Sequence, residues 1–146
     1  DRARPVAAGN SAMHSFEDVR AHVASHYAIG DSSPYLVSFD LALGEGRRQS
    51  MFLAEIEGED GARYLRLSTP IAPLGRFDAA KCLQFNWAQR VGWFALSEID
   101  GQDFLHLCEN RPYDGLVAAE VDALVEEIGR LADNLERLIN LGADAV

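Results

Sequence analysis

Two cysteines are the residues of this chain that most directly suggest chemistry. Cys82 lies in the stretch KCLQFNWAQRVGWFAL, residues 81–96, together with two tryptophans and two phenylalanines. A thiol acts as a nucleophile only beside a base that ionises it. The nearest candidate base in pattern is His106, which is predicted to share a strand face with Cys108. Since the pattern offers no group to orient such a base, we interpret both thiols as packing residues and predict no catalytic site. A Cys82–Cys108 disulfide is the less favoured alternative.

A pair of histidines is the second candidate for chemistry. His22 and His26 stand one helical turn apart in the segment HVASH, so both rings could reach one metal ion. A zinc-protease helix would carry glutamate directly after the first histidine, where this chain has valine. The sequence identifies no third ligand for the pair. We therefore predict no metal site and no cofactor.

The acidic segment EGEDG, residues 57–61, resembles a cation-binding loop only loosely. It lacks the alternating ligands and the distal glutamate of an EF-hand, so it is predicted to be a solvated hairpin turn. The nucleotide-binding patterns GxxxxGK[ST] and GxGxxG and the hydrolase pattern GxSxG do not occur in the chain. These observations favour a protein that is not an enzyme.

Composition limits the classes of partner. With 146 residues and 48% hydrophobic residues, the chain is predicted to fold as a single globular domain. Its net charge of −10 disfavours binding to nucleic acid or to an anionic membrane surface, because both favour basic patches. The sequence contains neither a membrane-spanning apolar run nor the apolar core of a secretory signal, and two cysteines are too few for a disulfide framework. We expect a cytoplasmic protein.

Hydrophobic periodicity and turn residues predict the secondary structure. The predicted order is α-βββ-α-ββ-α, an α+β fold with helices packed on an antiparallel sheet. The predicted helices span Ser15 to about Tyr27, roughly residues 79–89 and about 118–141, the last closed by Gly142. The predicted strands lie within residues 35–43, 49–57, 63–69, 91–99 and 103–109, and Pro70 and Pro73 are expected to end the third strand. We expect a flexible tail over residues 1–14 and one domain over residues 15–146.

The predicted second helix carries apolar side chains on two sides. Cys82 and Leu83 lie on one side, Phe85 lies roughly across from them, and Trp87 fills the flank. A helix that is apolar on two sides must be covered on two sides, and one sheet covers only one of them. The other cover is either a second subunit or the long C-terminal helix. We favour the second subunit, because two-fold homodimers are the commonest oligomers.

The element order is combined with the run CLQFNWAQRVGWFALSEIDGQDFLHLCENRPYDGL and with the acidic helix EVDALVEEIGRLADNLERL that follows it. In these features the chain resembles the class I chaperones of bacterial type III secretion and the related YbjN-like proteins. The family's second helix carries a leucine-rich stretch with an asparagine, here Leu83 and Asn86, and a glycine starts the next strand, here Gly92. The resemblance covers about residues 15–141.

This resemblance implies a non-enzymatic homodimer that holds an extended segment of a secreted client protein. The implied dimer residues lie on helix 2 and the strand after it: Phe85, Trp87, Val91 and Trp93. The implied client contacts lie on helix 1 and the sheet: Val19, Val23, Val37, Phe39 and Met51. The alternative is a YbjN-like regulatory module that binds a small ligand between sheet and helix.

Overall fold

Six antiparallel strands and three α-helices form the structure, a computed structural model that describes residues 8–140. A short 3-10 turn, Ala8–Asn10, precedes the first helix. The helices are α1 (Phe16–Ala24), α2 (Ala79–Ala88) and α3 (Ala118–Asn140). The strands are β1 (Ile29–Ser33), β2 (Leu36–Gly44), β3 (Arg47–Glu57), β4 (Arg63–Pro73), β5 (Trp93–Ile99) and β6 (Gln102–Pro112).

All six strands belong to one sheet in the order β1-β2-β3-β4-β6-β5. The predicted α+β class and the antiparallel sheet are confirmed. The structure adds β1, a short edge strand in the segment IGDSS, where the sequence predicts a turn. Four of its five residues are exposed and none is buried, so the segment lacks the alternating burial that identifies a strand from sequence.

The three helices cover one face of this sheet, and the core lies between them. Alternate residues of the paired strands point to the covered face, as Val37 opposite Leu53 and Phe39 opposite Met51 show. Helix α3 crosses β2 and β3 so closely that a Cβ atom at Gly129 would overlap Leu41 Cδ2. A larger residue at position 129 would force the Leu41 side chain to move.

Strand β4 continues through Pro70 to Pro73, so the prediction that Pro70 ends the strand is wrong. Proline has no N–H to donate to a neighbouring strand. Side-chain hydrogen bonds take the place of the missing backbone hydrogen bonds here. The Thr69 hydroxyl donates to the Ser50 carbonyl at 2.6 Å, and Gln49 Nε2 donates to Thr69 Oγ1 at 2.8 Å and to the Pro70 carbonyl at 3.2 Å. Strand β4 pairs with β6 on both sides of Ile71, with a register shift between Pro70 and Ala72.

The predicted N-terminal tail is described from Ala8 onward, and this part packs on the domain. Met13 is buried, and its N–H donates to the Leu116 carbonyl at 2.9 Å. Residues 1–7 and Gly142 lie outside the described residues. Between residues 8 and 140, no helix is long and apolar enough to cross a lipid bilayer.

Helix α1 ends earlier than the sequence predicts, at Ala24 instead of about Tyr27. The next residue, Ser25, donates from its hydroxyl to the His22 carbonyl at 2.6 Å. Serine side chains that bind a carbonyl of the last turn compete with the helical hydrogen bonds. The helix start is as predicted, because Ser15 Oγ accepts from the Asp18 N–H at 3.3 Å.

Candidate protein-binding surfaces

The thiols lie in surroundings that suppress their ionisation. Cys82 packs between α2 and the sheet, and burial, followed by the charge of Asp78, raises its pKa. Burial raises the pKa of Cys108 to about 11. The two are free thiols, and the sheet separates them, because Cys108 points to the face opposite α2. A raised pKa lowers the thiolate fraction at neutral pH, which supports the packing interpretation of both residues.

Asn86 attaches α2 to the free edge of the sheet. Its Nδ2 donates to the Phe94 carbonyl at 3.1 Å, and its Oδ1 accepts from the Phe94 N–H at 2.6 Å. The side-chain amide thus satisfies both backbone groups that Phe94, on edge strand β5, turns away from β6. On the same helix the Phe85 ring packs on the Phe94 ring at 4.6 Å between centroids. One side of α2 is therefore covered by the protein's own sheet.

The other side of α2 is uncovered. Among the described residues six large hydrophobic side chains are exposed, and four of them lie together here: Leu74, Leu83, Trp87 and Leu96. We call these four the α2–β5 patch. Trp87 is 93% exposed. Helix α3, one of the two covers that the sequence allowed for this side of α2, therefore does not cover it. Leu83, one helical turn before Trp87, borders a groove of about 230 Å³, and none of the residues that line this groove is charged.

The predicted dimer residues lie in four different environments. Trp87 belongs to the α2–β5 patch, and Phe85 is half-buried against Phe94. Val91 is buried in the core. Trp93 points to the opposite face of the sheet, where the Arg66 guanidinium lies 5.7 Å from its ring centroid. Leu74 and Leu96 are patch residues that the sequence analysis missed, since neither belongs to the helical pattern of α2.

The predicted client contacts are core residues in the structure. Val19 and Val23 of α1 and Val37, Phe39 and Met51 of the sheet are all buried, at most 3% exposed. Helix α1 and helix α3 lie over these side chains, so this set forms no open groove in the described chain. A client that approaches the folded domain meets other residues.

The sheet face opposite the helices carries a groove that is open to solvent. No described helix packs on this open sheet face, and the sheet curves so that side chains of β2, β3 and the β5–β6 turn approach one another. They enclose a groove of about 490 Å³, lined by apolar and polar residues that include Leu36, Phe52, Ser68, Ile99 and His106. Strand alternation predicts which residues share each face of the sheet. Only the positions of the helices decide which of the two faces is covered.

His106 is the one histidine of the open sheet face. Its side chain is 8% exposed, and its Nε2 atom has no hydrogen-bond partner among the described residues. Burial lowers its pKa, and a hydrogen bond with the backbone of Ser97 opposes that effect. A buried imidazole nitrogen without a partner retains its capacity for one hydrogen bond to a ligand.

His22, on α1, and His26, two residues past the end of that helix, lie near a partner that is distant in the sequence. His22 Nε2 is 2.8 Å from Asp122 Oδ1 of α3, and the His22 and His26 rings are 4.5 Å apart between centroids. One potential ligand atom from each of His22, His26 and Asp122 lies within 4.8 Å of the other two. A third group of a type that can bind metal, which the sequence pattern did not identify, thus lies where the His22–His26 segment meets α3.

Comparison with known proteins adds no relative to this picture. The sequence matches no protein-family model, and neither the curated proteins nor the solved structures yield a match. The resemblance to secretion chaperones and YbjN-like proteins therefore depends on the motifs and the element order alone.

Proposed function

We propose that this protein is a non-enzymatic protein-binding module that acts as a homodimer and holds an extended segment of a client protein. The observation that carries the proposal is the α2–β5 patch, where an exposed tryptophan lies one helical turn from Leu83, which borders an uncharged groove. The resemblance to type III secretion chaperones and the raised pKa values of both thiols support the same proposal. A secreted protein is the client class that the resemblance implies.

A second copy of the chain is the occupant that best fits the α2–β5 patch. A two-fold interface joins the same surface of both subunits, so that surface must be complementary to itself. Trp87 is a protruding apolar side chain, and the groove formed by Phe77, Leu83 and Leu105 is an apolar depression on the same surface. In a two-fold dimer each tryptophan can enter the groove of the other subunit. Buried central aromatics dominate the energy of many such interfaces.

The client segment lies, in this proposal, on the open sheet face. The groove there runs from Leu36 and Phe52 to Ile99, with polar groups from Ser68 and His106 between them. An extended polypeptide needs apolar pockets for alternate side chains together with polar groups for its backbone, and this lining offers both. The net charge of −10 favours a client segment that carries basic residues.

Light scattering on the purified protein tests the dimer. We expect twice the chain mass of 16.0 kDa for the wild type. Trp87→Glu places a charge in the interface without a partner, so we expect it to give monomers that remain folded by circular dichroism. Tyr35→Glu is the matched control, because Tyr35 is also an exposed aromatic residue (61%) but lies at the β1–β2 turn near the opposite edge of the sheet. A wild-type monomer at tens of micromolar, or equal loss of dimer in both variants, would contradict the proposal.

A small-molecule ligand is the second candidate function, and the unpartnered Nε2 of His106 is the observation that favours it. The groove of the open sheet face combines apolar walls with this one polar atom, which is typical of ligand pockets. Native mass spectrometry of protein purified from its own cells separates the two functions. A bound polypeptide supports the chaperone, whereas a bound small molecule that His106→Phe loses supports the regulatory module.

A further inference from the structure

We propose that His22, His26 and Asp122 bind a zinc ion that joins α1 to α3. His22 lies in the last turn of α1, His26 lies in the turn that follows the helix, and Asp122 comes from α3, a hundred residues after His22 in the chain. Neither the proposed dimer nor the proposed client groove uses these residues.

The ring of His26 is held in the tautomer that a metal ligand needs. Its Nδ1 lies 3.0 Å from the His22 carbonyl and 2.9 Å from Ser25 Oγ. The Ser25 hydroxyl already donates its hydrogen to the His22 carbonyl, so its oxygen is free to accept from His26. Both neighbours of Nδ1 thus act as acceptors, and Nδ1 carries the proton. The lone pair is then on Nε2, and metal-bound histidines are commonly held through their other ring nitrogen in this way.

The three ligand atoms are close enough to share one ion after a small side-chain movement. Zinc binds imidazole nitrogen and carboxylate oxygen at about 2.0–2.2 Å, so two of its ligands are separated by no more than about 4.4 Å. In this cluster, one potential ligand atom from each residue lies at most 4.8 Å from those of the other two residues. His26 is exposed and can rotate toward the other two. Zinc would take the place of the proton that His22 Nε2 and Asp122 Oδ1 share across 2.8 Å, and the neutral His22 ring would then carry its proton on Nδ1.

The donor set selects the class of metal. Two imidazoles and one carboxylate suit zinc and its first-row neighbours, whereas magnesium and calcium prefer oxygen ligands only. His22 is largely buried, while His26 and Asp122 border solvent, so an ion can enter from outside and water can occupy its fourth position. Bound there, the ion would fasten α1 and the turn that follows it to α3.

Zinc binding to the full chain tests the proposal. Chelator-treated protein should bind one zinc ion per chain in calorimetry, melt several degrees higher with zinc, and show no change with magnesium. Amide hydrogen exchange should slow in α1 and remain unchanged in α2, which is a readout specific to the joined helix. His26→Ala and Asp122→Asn should each weaken binding by more than about tenfold.

His14→Ala is the matched control, because His14 is an exposed histidine outside the cluster and its loss should leave zinc binding unchanged. Three results would overturn the proposal. The wild type could fail to bind zinc, all three variants could bind it equally, or one ion could bind per two chains, which would indicate a site between copies.

Discussion

His106 shows how one buried side chain can make stability depend on pH. The residue lies opposite Pro70 of β4 and Ala95 of β5, and burial there disfavours the charged imidazolium. Its pKa in the folded state is therefore below the ordinary value of 6.5. Above that value both folded and unfolded states hold the neutral ring. Below it the unfolded chain takes up the proton first, so stability is lost as the pH falls.

We expect the free energy of unfolding of the wild type to decrease between about pH 7 and about pH 5, and to decrease less in His106→Asn. Asparagine keeps a donor near the Ser97 backbone but does not titrate. Urea denaturation at each pH measures the slope, and comparison of variant with wild type cancels the contributions of other groups. His14→Asn, an exposed control, should retain the wild-type slope. Identical slopes for all three proteins would show that His106 contributes nothing to the pH dependence.

At the scale of elements, α2 is attached to the sheet by a side chain that imitates a neighbouring strand. The Asn86 amide forms two hydrogen bonds with the backbone of Phe94, where a seventh strand would otherwise pair. This arrangement fixes the position of α2 and thereby the direction in which Trp87 projects. It also blocks the first part of the β5 edge, which is a common protection against edge-to-edge aggregation.

Asn86→Ala should destabilise the fold by about 1–3 kcal/mol, because it leaves a partly buried N–H and a partly buried carbonyl of Phe94 without partners. Gln84→Ala is the control, since Gln84 is exposed on the same helix and its replacement costs only about 0.5 kcal/mol or less. Chemical denaturation of both variants measures the difference. Equal stabilities would mean that packing alone, through Cys82 and Phe85, holds α2 in place.

The whole molecule consists of two layers, helices on one face of a sheet and an open second face. Met51 and Phe52 are neighbours on β3, yet Met51 is fully buried under the helices whereas Phe52 lines the groove of the open sheet face. The fold thus assigns adjacent residues to different tasks, core packing for the first and, in our proposal, client binding for the second.

Met51→Asp should destabilise the protein by more than about 4 kcal/mol, because it buries an unpaired carboxylate. Phe52→Asp should cost about 1 kcal/mol and leave the dimer intact, while it removes binding of the client. Thermal melts, light scattering and client capture on the same preparations test all three expectations. If Phe52→Asp unfolds the protein, the second face is covered in solution; if client binding persists, the client lies elsewhere.

The sequence alone determined the class of fold and the positions of most elements, because those depend on local patterns. The side chains of Ser15 and Asp78 cap their helices, and the turn at Asp100 and Gly101 joins β5 to β6. Strand β1 escaped prediction because its burial does not alternate. Strand β4 continues past Pro70 because it pairs with β6, and the Gln49 side chain, distant in the sequence, binds the Pro70 carbonyl.

Only the tertiary structure decided which residues of these patterns are buried and which are exposed. Alternation along β2 and β3 defines two sets of residues, and the crossing of α3 at Gly129 buries the set that contains Val37, Phe39 and Met51. The same helix brings Asp122 to His22, a contact between residues far apart in the chain that no local pattern can predict. The apolar character of α2 was evident in its residue spacing, whereas the exposure of Trp87 became visible only once every other element had taken its place.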